Sequence, residues 1–372
     1  MTQFLSEPLV AWSEILAAVL GHSLWQGLLI SVAVLALLRT VPARYTNLRY
    51  SVAIAGLATV VVAAFVSWTV LQLPTNSGNQ RSVVFAQPIP TTAGIQAEPA
   101  FDSSSSFVPA QTVASVAMGP VADTGRSASG LPESTWLAPF QRLTPTIVVL
   151  WLIGVCLMLA RTTSAVVRSQ HWAKQDRGVN PPDLSELESL VVGLSARLKL
   201  RQVVKLVVCD RINVPAVLGA LWPAILIPPA MLTGISVEQW RIILAHELAH
   251  VRRYDNLVNL VQMLIESLFF FNPAVWWISH QVRAEREASC DALAAEVAGQ
   301  PLSVAKTLVD VAQSLRESSA VPVPTPMTAL AEPGDAGALT DRVRRLLHPN
   351  RASRPRLTGV GLFATVAVVL VT

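Results

Sequence analysis

The sequence predicts a membrane protein, mainly α-helical, with three to four transmembrane helices and a cytoplasmic α+β domain. Three observations carry this. Of 372 residues, 52% are hydrophobic and only 14% are charged. Soluble domains average about 25% charged residues, so too little polar surface is present to cover a single globule. Several apolar runs are long enough to cross a bilayer. Between the later runs lies a segment of ordinary polarity. The composition also excludes a disordered chain.

The first span is Ile15 to Leu38, interrupted by His22 and Gln26, and the second is Val52 to Leu73. Arg39, Arg44 and Arg49 lie at their junction, which places this short loop in the cytoplasm by the positive-inside rule. Residues 1–73 thus form a helix pair. Residues 74–140 are rich in proline and serine and read as a disordered external loop. Leu143 to Ala160, within 141–160, is the third span. Arg161, Arg168, Lys174 and Arg177 return the chain to the inside. Residues 161–320 form the cytoplasmic domain. Residues 321–357 read as a flexible basic linker, and 358–372 as the start of a fourth span. The net charge of +4 reports orientation through these loops rather than nucleic-acid binding. The three cysteines imply no disulfide scaffold. Cys156 and Cys209 read as buried thiols.

Within the polar domain, Leu184 to Leu200 has helical amphipathicity, and Val203 to Val208 alternates like a strand. Val214 to Pro229 carries the turn signals of short strands. Ser236 followed by Gln239 is a capping-box start for the next helix. That helix holds His246-Glu247-Leu248-Ala249-His250. Histidines four apart share one helical face and can bind one Zn²⁺, with Glu247 beside it as general base. The domain is therefore expected to be a zincin-like metalloprotease.

A catalytic zinc takes three protein ligands. After His250 the candidates are His280, Glu266, Glu285, Glu287 and Asp291. Ala274 to Ala298 reads as a helix, on which Glu287 and Asp291 share a face. Spacing alone does not choose between Glu285 and Glu287. Cys290, close to Glu287, could bind metal but is expected to pack. Leu257 to Phe271 is apolar but interrupted by Asn259, Gln262 and Glu266, so it is not counted as a span, though it suits contact with the membrane surface. Gln26 and His22 suit interhelical hydrogen bonding. Ser303-Val304-Ala305-Lys306 matches an acylation motif, but the companion motifs are missing and it reads as a plain helix.

The run from His246 to Asn256 resembles the active-site helix of the BlaR/MecR-type membrane metallopeptidases. Phe269-Phe270-Phe271-Asn272-Pro273 resembles that family's connector, and Arg286-Glu287-Ala288-Ser289-Cys290-Asp291 resembles its second motif. His22 to Gly27 and Arg342 to Leu347 are weaker likenesses. The resemblance implies a gluzincin with zinc on His246, His250 and Glu287, and with Asp291 orienting a ligand histidine. It implies a multi-pass enzyme of the cytoplasmic membrane whose site faces inward. Its expected partners are the lipid bilayer and a protein substrate, such as a cytoplasmic transcriptional repressor or the chain itself. No direct nucleic-acid contact is expected, and the oligomeric state is left open. In antibiotic-sensing members a penicillin-binding sensor follows the fourth span; none is expected within this sequence. The alternative is a non-proteolytic receptor or scaffold with a structural or vestigial zinc site.

Overall fold

The computed structural model describes residues 2–73, 138–175, 184–219, 222–298, 300–317 and 336–348. The segment read as an external loop, most of the basic linker and the fourth apolar run lie outside these residues. Residues 73–141 group as a unit of their own, and residues 1–72 and 142–372 form the other.

Three long helices come first: α1 (Thr2–Thr40), α2 (Thr46–Gln72) and α3 (Ala138–Gln175). Each contains a candidate span: Trp12–Thr40, Thr46–Gln72 and Leu143–His171. α1 and α2 begin ahead of the apolar runs that suggested them and α3 continues past Arg161 to Gln175, because the backbone bonds of a helix do not require apolar side chains. Only 6% of the apolar window of α3 is buried within the protein, so its apolar surface requires a lipid-like environment. α1 and α2 associate through small residues. A Cβ on Gly56 would run into Val34, so this glycine sets the close approach of the pair. Gln26 donates from Nε2 to Ser67 Oγ of α2 at 2.8 Å, the interhelical role expected of it. His22 instead accepts from the Trp25 indole on its own helix. Cys156 is exposed on α3, contrary to the expectation of a buried thiol. An outward thiol suits a helix surface in an apolar medium, because it behaves as a small hydrophobe.

The rest of the chain forms α4 (Ser185–Arg197), β1 (Lys205–Val208), β2 (Ala216–Leu218), β3 (Ala224–Ile227), α5 (Val237–Arg252), α6 (Asp255–Leu268), α7 (Pro273–Ala298), α8 (Pro301–Glu317) and α9 (Ala336–Leu347). The sheet order is β1-β3-β2. β3 is parallel to β1, with Leu206 opposite Ile225, and antiparallel to β2, with Val217 opposite Ile225. All four β3 residues are buried, as a central strand covered on both faces requires. α5 starts at the expected capping box, with Gln239 N–H donating to Ser236 Oγ and Ser236 N–H donating to Gln239 Oε1. The SxxK segment lies on α8. Residues 336–347, read as part of a flexible linker, form α9. Its arginines find buried carboxylates on α7, which holds the segment in place.

Two apolar cores result. One joins Leu194 of α4, Ile225 and Ile227 of β3, Leu244 and Leu248 of α5, and Ala294 of α7. The other joins Leu38 of α1, Tyr50, Leu57 and Val60 of α2, and Val275, Ile278 and Val282 of α7. α7 therefore belongs to both: its first half lies along the spans and its second half closes the sheet domain. Where the halves meet, Glu285 is fully buried. It accepts from Arg49 Nε and Nη2 at 3.0 and 2.8 Å, and from Arg345 of α9 at 3.0 Å. Removing one member of such a set leaves charge buried without a partner, which costs about 3–5 kcal/mol. Glu285→Gln is accordingly expected to lower the unfolding midpoint of the detergent-solubilised protein sharply. A midpoint equal to wild type in thermal scans would contradict this.

Candidate metal centre

α5 and α7 cross so that their inner faces meet. His246 and His250 present their Nε2 atoms to each other at 3.2 Å. Glu287 reaches between them, with Oε2 3.5 Å from His246 Nε2 and Oε1 3.9 Å from His250 Nε2. One ligand atom from each of the three residues lies within 4.8 Å of the others. The three candidate ligands are thus brought together. Asp291, one turn further along α7, places Oδ1 3.0 Å from His246 Nδ1. Glu285, the other carboxylate that spacing left open, faces Arg49 on a different side of α7. Glu266 faces Arg283 at 2.7 Å, and His280 is exposed.

The second histidine has its own carboxylate, which sequence reasoning missed. Asp255 Oδ2 lies 2.8 Å from His250 Nδ1. On a continuous helix, residues five apart point well away from each other. Here α5 ends at Arg252, and Tyr254 adopts φ +54°, the left-handed region. That conformation costs about 1–2 kcal/mol for a residue with a Cβ. It turns the chain so that Asp255, the first residue of α6, swings back under His250. Asp255 also accepts from the Tyr50 hydroxyl of α2 at 3.2 Å and faces Arg253 at 3.6 Å. The only signal of this in the sequence is the Arg253/Asp255 neighbourhood, which reads equally as a local ion pair.

Cys290 does not merely pack. Its Sγ lies 3.4 Å from His250 Nδ1 and donates to Asp255 Oδ2 at 3.4 Å. Burial and the Asp255 carboxylate push its thiol well above the usual range, so it is a neutral donor. It supports the carboxylate behind His250. Arg342 of α9 grips Asp291 with two bonds, from Nε at 2.8 Å and Nη2 at 2.7 Å, and its Nη1 lies 3.7 Å from Glu287. The sequence marks Arg342 only through the weaker family likeness of Arg342 to Leu347 and does not pair it with Asp291, because the two residues are far apart along the chain.

The charges around the cluster call for a cation. Burial disfavours a charged His246, yet bonds to Asp291 and Glu287 outweigh it and raise the ring to about 10. Burial pushes Asp291 up, but Arg342 and His246 hold it at about 2. Glu287 is likewise held well below its ordinary value, against burial, by His246, His250 and Arg342. Burial pushes Glu247 up, against the two histidines. When both rings are neutral, the carboxylates at the back favour the Nδ1–H tautomer of each, which turns both Nε2 lone pairs inward. Two imidazole nitrogens and one carboxylate form the protein donor set of a catalytic zinc. The residues therefore fit that ion.

Together these features describe a helical membrane-type protein with a metallopeptidase-like centre. The chain belongs to the BlaR1 peptidase M56 family, whose profile matches residues 29–327. It is 31% identical over 141 residues to the regulatory protein BlaR1 of Bacillus licheniformis, covering 38% of this chain and 23% of that one. It is 25% identical over 159 residues to the methicillin resistance mecR1 protein of Staphylococcus aureus (strain Mu50 / ATCC 700699), covering 41% and 25% respectively. The same values hold for the mecR1 protein of Staphylococcus epidermidis. The matched part thus spans about a quarter of these relatives.

Two outcomes are expected. At pH 7 the metal-free His246 ring is protonated, since its pKa is raised to about 10. Zinc needs the Nε2 lone pair, so uptake at pH 7 should release at least one proton, and affinity should fall as pH falls. A pH indicator in a weakly buffered titration measures this; proton-free uptake would contradict it. Asp255→Asn should weaken zinc binding by about 10–100-fold, the usual effect of losing a carboxylate behind a ligand histidine. Competition with a chromogenic chelator reads that change.

Proposed function

We propose that this protein is an integral membrane zinc endopeptidase that cleaves a cytoplasmic regulatory protein, itself, or both, in signal transduction. The observation that carries this is the convergence of His246, His250 and Glu287, with Glu247 between the two histidines on α5. A purely structural zinc site has no need of that extra carboxylate.

In this reading His246, His250 and Glu287 hold zinc, which supplies Lewis-acid polarisation of a peptide carbonyl and acidification of water. Glu247 accepts the proton of the attacking water and delivers it to the leaving amine. Its raised affinity for a proton, caused by burial, suits a group that must hold one between the two steps. Asp291 and Asp255 keep the ligand rings in one tautomer and one orientation. Arg342 fixes Asp291 and so acts on His246 through it.

The orientation follows from the arginines. Arg49 and Tyr50, at the start of α2, touch Glu285 and Asp255, so the metal centre lies at the end of the spans where Arg39 and Arg44 also lie. The basic residues at that end support a metal centre on the cytoplasmic side of the membrane. The family resemblance makes a cytoplasmic transcriptional repressor the first substrate to test.

The test compares newly formed protein N-termini in cells expressing the wild type or Glu247→Gln. Cleavages confined to the wild type are expected, while the purified variant keeps its zinc. Equal cleavage by a zinc-loaded Glu247→Gln protein would overturn the mechanism. A zinc-loaded wild type that cleaves nothing even when presented with its stimulus would favour the scaffold reading.

A further inference from the structure

α6 is built inside out for a helix in water. Its outward face carries Leu257, Leu260, Val261 and Leu264, each about half exposed. Its inward face carries Asn259, Gln262 and Glu266, all buried. Gln262 donates to Ser279 Oγ at 2.7 Å, and Glu266 pairs with Arg283. A helix on an aqueous surface shows the opposite pattern.

The turn that joins α6 to α7 sits against the spans, far from their basic ends. Asn272 is fully buried and donates to the carbonyl of Ser23 in α1 at 2.9 Å. Its side chain also lies against Gly27. At about 1.5 Å per residue, Gly27 is about 18 Å along α1 from Arg39. The Phe270 ring fills the space over Gly154 of α3, where any Cβ would collide with it. Gly154 is about 10 Å along α3 from Arg161 by the same measure. The hydrocarbon layer is about 30 Å thick, so the turn reaches well into it, toward its middle.

Irregular backbone at such depth must have its polar groups satisfied by the protein. Two indoles serve carbonyls of the turn. Trp151 of α3 donates to the Leu268 carbonyl at 3.0 Å, and Trp276 donates to the Phe270 carbonyl at 2.8 Å. Asn272 adds two more bonds: its side-chain Oδ1 accepts from Ala274 N–H at 3.0 Å, and its backbone N–H donates to the Phe269 carbonyl.

We propose that α6 and the first half of α7 form a re-entrant hairpin that dips into the bilayer from the side of the metal centre, with the Leu257/Leu260/Val261/Leu264 face of α6 against lipid acyl chains. The surface continues the outward apolar face of α3, which includes Leu150 and Leu157. Asp255 and Tyr254 then mark the polar boundary, and the metal centre stands at the hairpin's mouth. A peptide bond reaching it comes from a segment held close to the membrane surface.

The inference rests on reading α1–α3 as membrane spans, and its test separates the two. A nitroxide is attached to single exposed cysteines in the full chain, reconstituted in phosphatidylcholine–phosphatidylglycerol vesicles. Collisions with oxygen, which partitions into lipid, are compared with collisions with a water-soluble nickel chelate. Native Cys156 on α3 reports the spans, since Cys209 and Cys290 are fully buried. Leu264→Cys and Val261→Cys, each in a Cys156→Ser background, report α6. Val192→Cys on α4, in the same background, reports water. Oxygen should exceed nickel at both α6 sites, as at Cys156, with the order reversed at Val192. Nickel exceeding oxygen on α6 while Cys156 remains in lipid would overturn the hairpin and leave the spans standing. Low access to both probes on α6 would also overturn it, because a protein surface would then cover the face. Nickel exceeding oxygen at Cys156 would remove the spans and the hairpin together.

Discussion

The bidentate contact between Arg49 and Glu285 is the junction on which the rest of the structure depends. Both side chains are essentially removed from solvent, with relative exposures of 1% and 0%. Burying two charges costs several kcal/mol each unless the geometry is good and the remaining donors are satisfied. Here they are. Arg49 spends its Nη1 on the carbonyls of Leu38 and Val41, at the end of α1 and in the turn after it. Glu285 takes a further bond from Arg345. One carboxylate thereby ties the end of α1, the start of α2, the middle of α7 and the late helix α9. Such a contact adds little net stability over an apolar one, but it fixes register. Hydrophobic packing alone would let α7 slide along α2. The ion pair permits one position, and that position sets where Glu287, two residues on, meets the histidines.

The metal centre shows the same economy. Each candidate ligand histidine is backed by a carboxylate, and each carboxylate is held by a cation or a neutral donor from another element. Asp291 is held by Arg342 of α9. Asp255 is held by Tyr50 of α2 and by Cys290 of α7. Negative charge accumulates at the centre, and in the metal-free protein a proton on His246 answers it. A divalent ion answers it better, because it meets the two inward Nε2 lone pairs and Glu287 at once. The support reaches into the membrane-type helices, since Tyr50 of α2 holds Asp255 while its neighbour Arg49 anchors α7 through Glu285.

Much of this was legible in the sequence because it is local. The spans follow from composition, α5 from its capping box and periodicity, and the histidine pair from helical spacing. The choice of Glu287 over Glu285 was not local. It depended on likeness to known motifs, and the structure gives the physical difference: the two point to different partners, the histidines and Arg49. What the sequence hid lies across turns or long intervals. Asp255 is five residues from His250, the wrong spacing for a shared face, until Tyr254 takes a left-handed conformation. Arg342 meets Asp291 only through tertiary packing, so a segment that reads as a basic linker becomes part of the site. Cys156 was misread because a thiol exposed to an apolar medium and a thiol in a core have the same local sequence.

α6 shows why periodicity alone does not assign an environment. Its pattern is strongly amphipathic, and amphipathicity says only that two faces differ. Which face turns inward depends on the medium outside. In α5 the inward face is apolar, with Leu244 and Leu248 in the core of the sheet domain. In α6 the inward face holds Asn259, Gln262 and Glu266, and the apolar residues point out. The two helices are joined by a few residues around Tyr254. A reversal of polarity across so short a turn is what a water–lipid boundary at that turn would select. The same turn carries Asp255 beneath His250, so the residue that completes the support of the metal centre is also the one that marks where the medium changes.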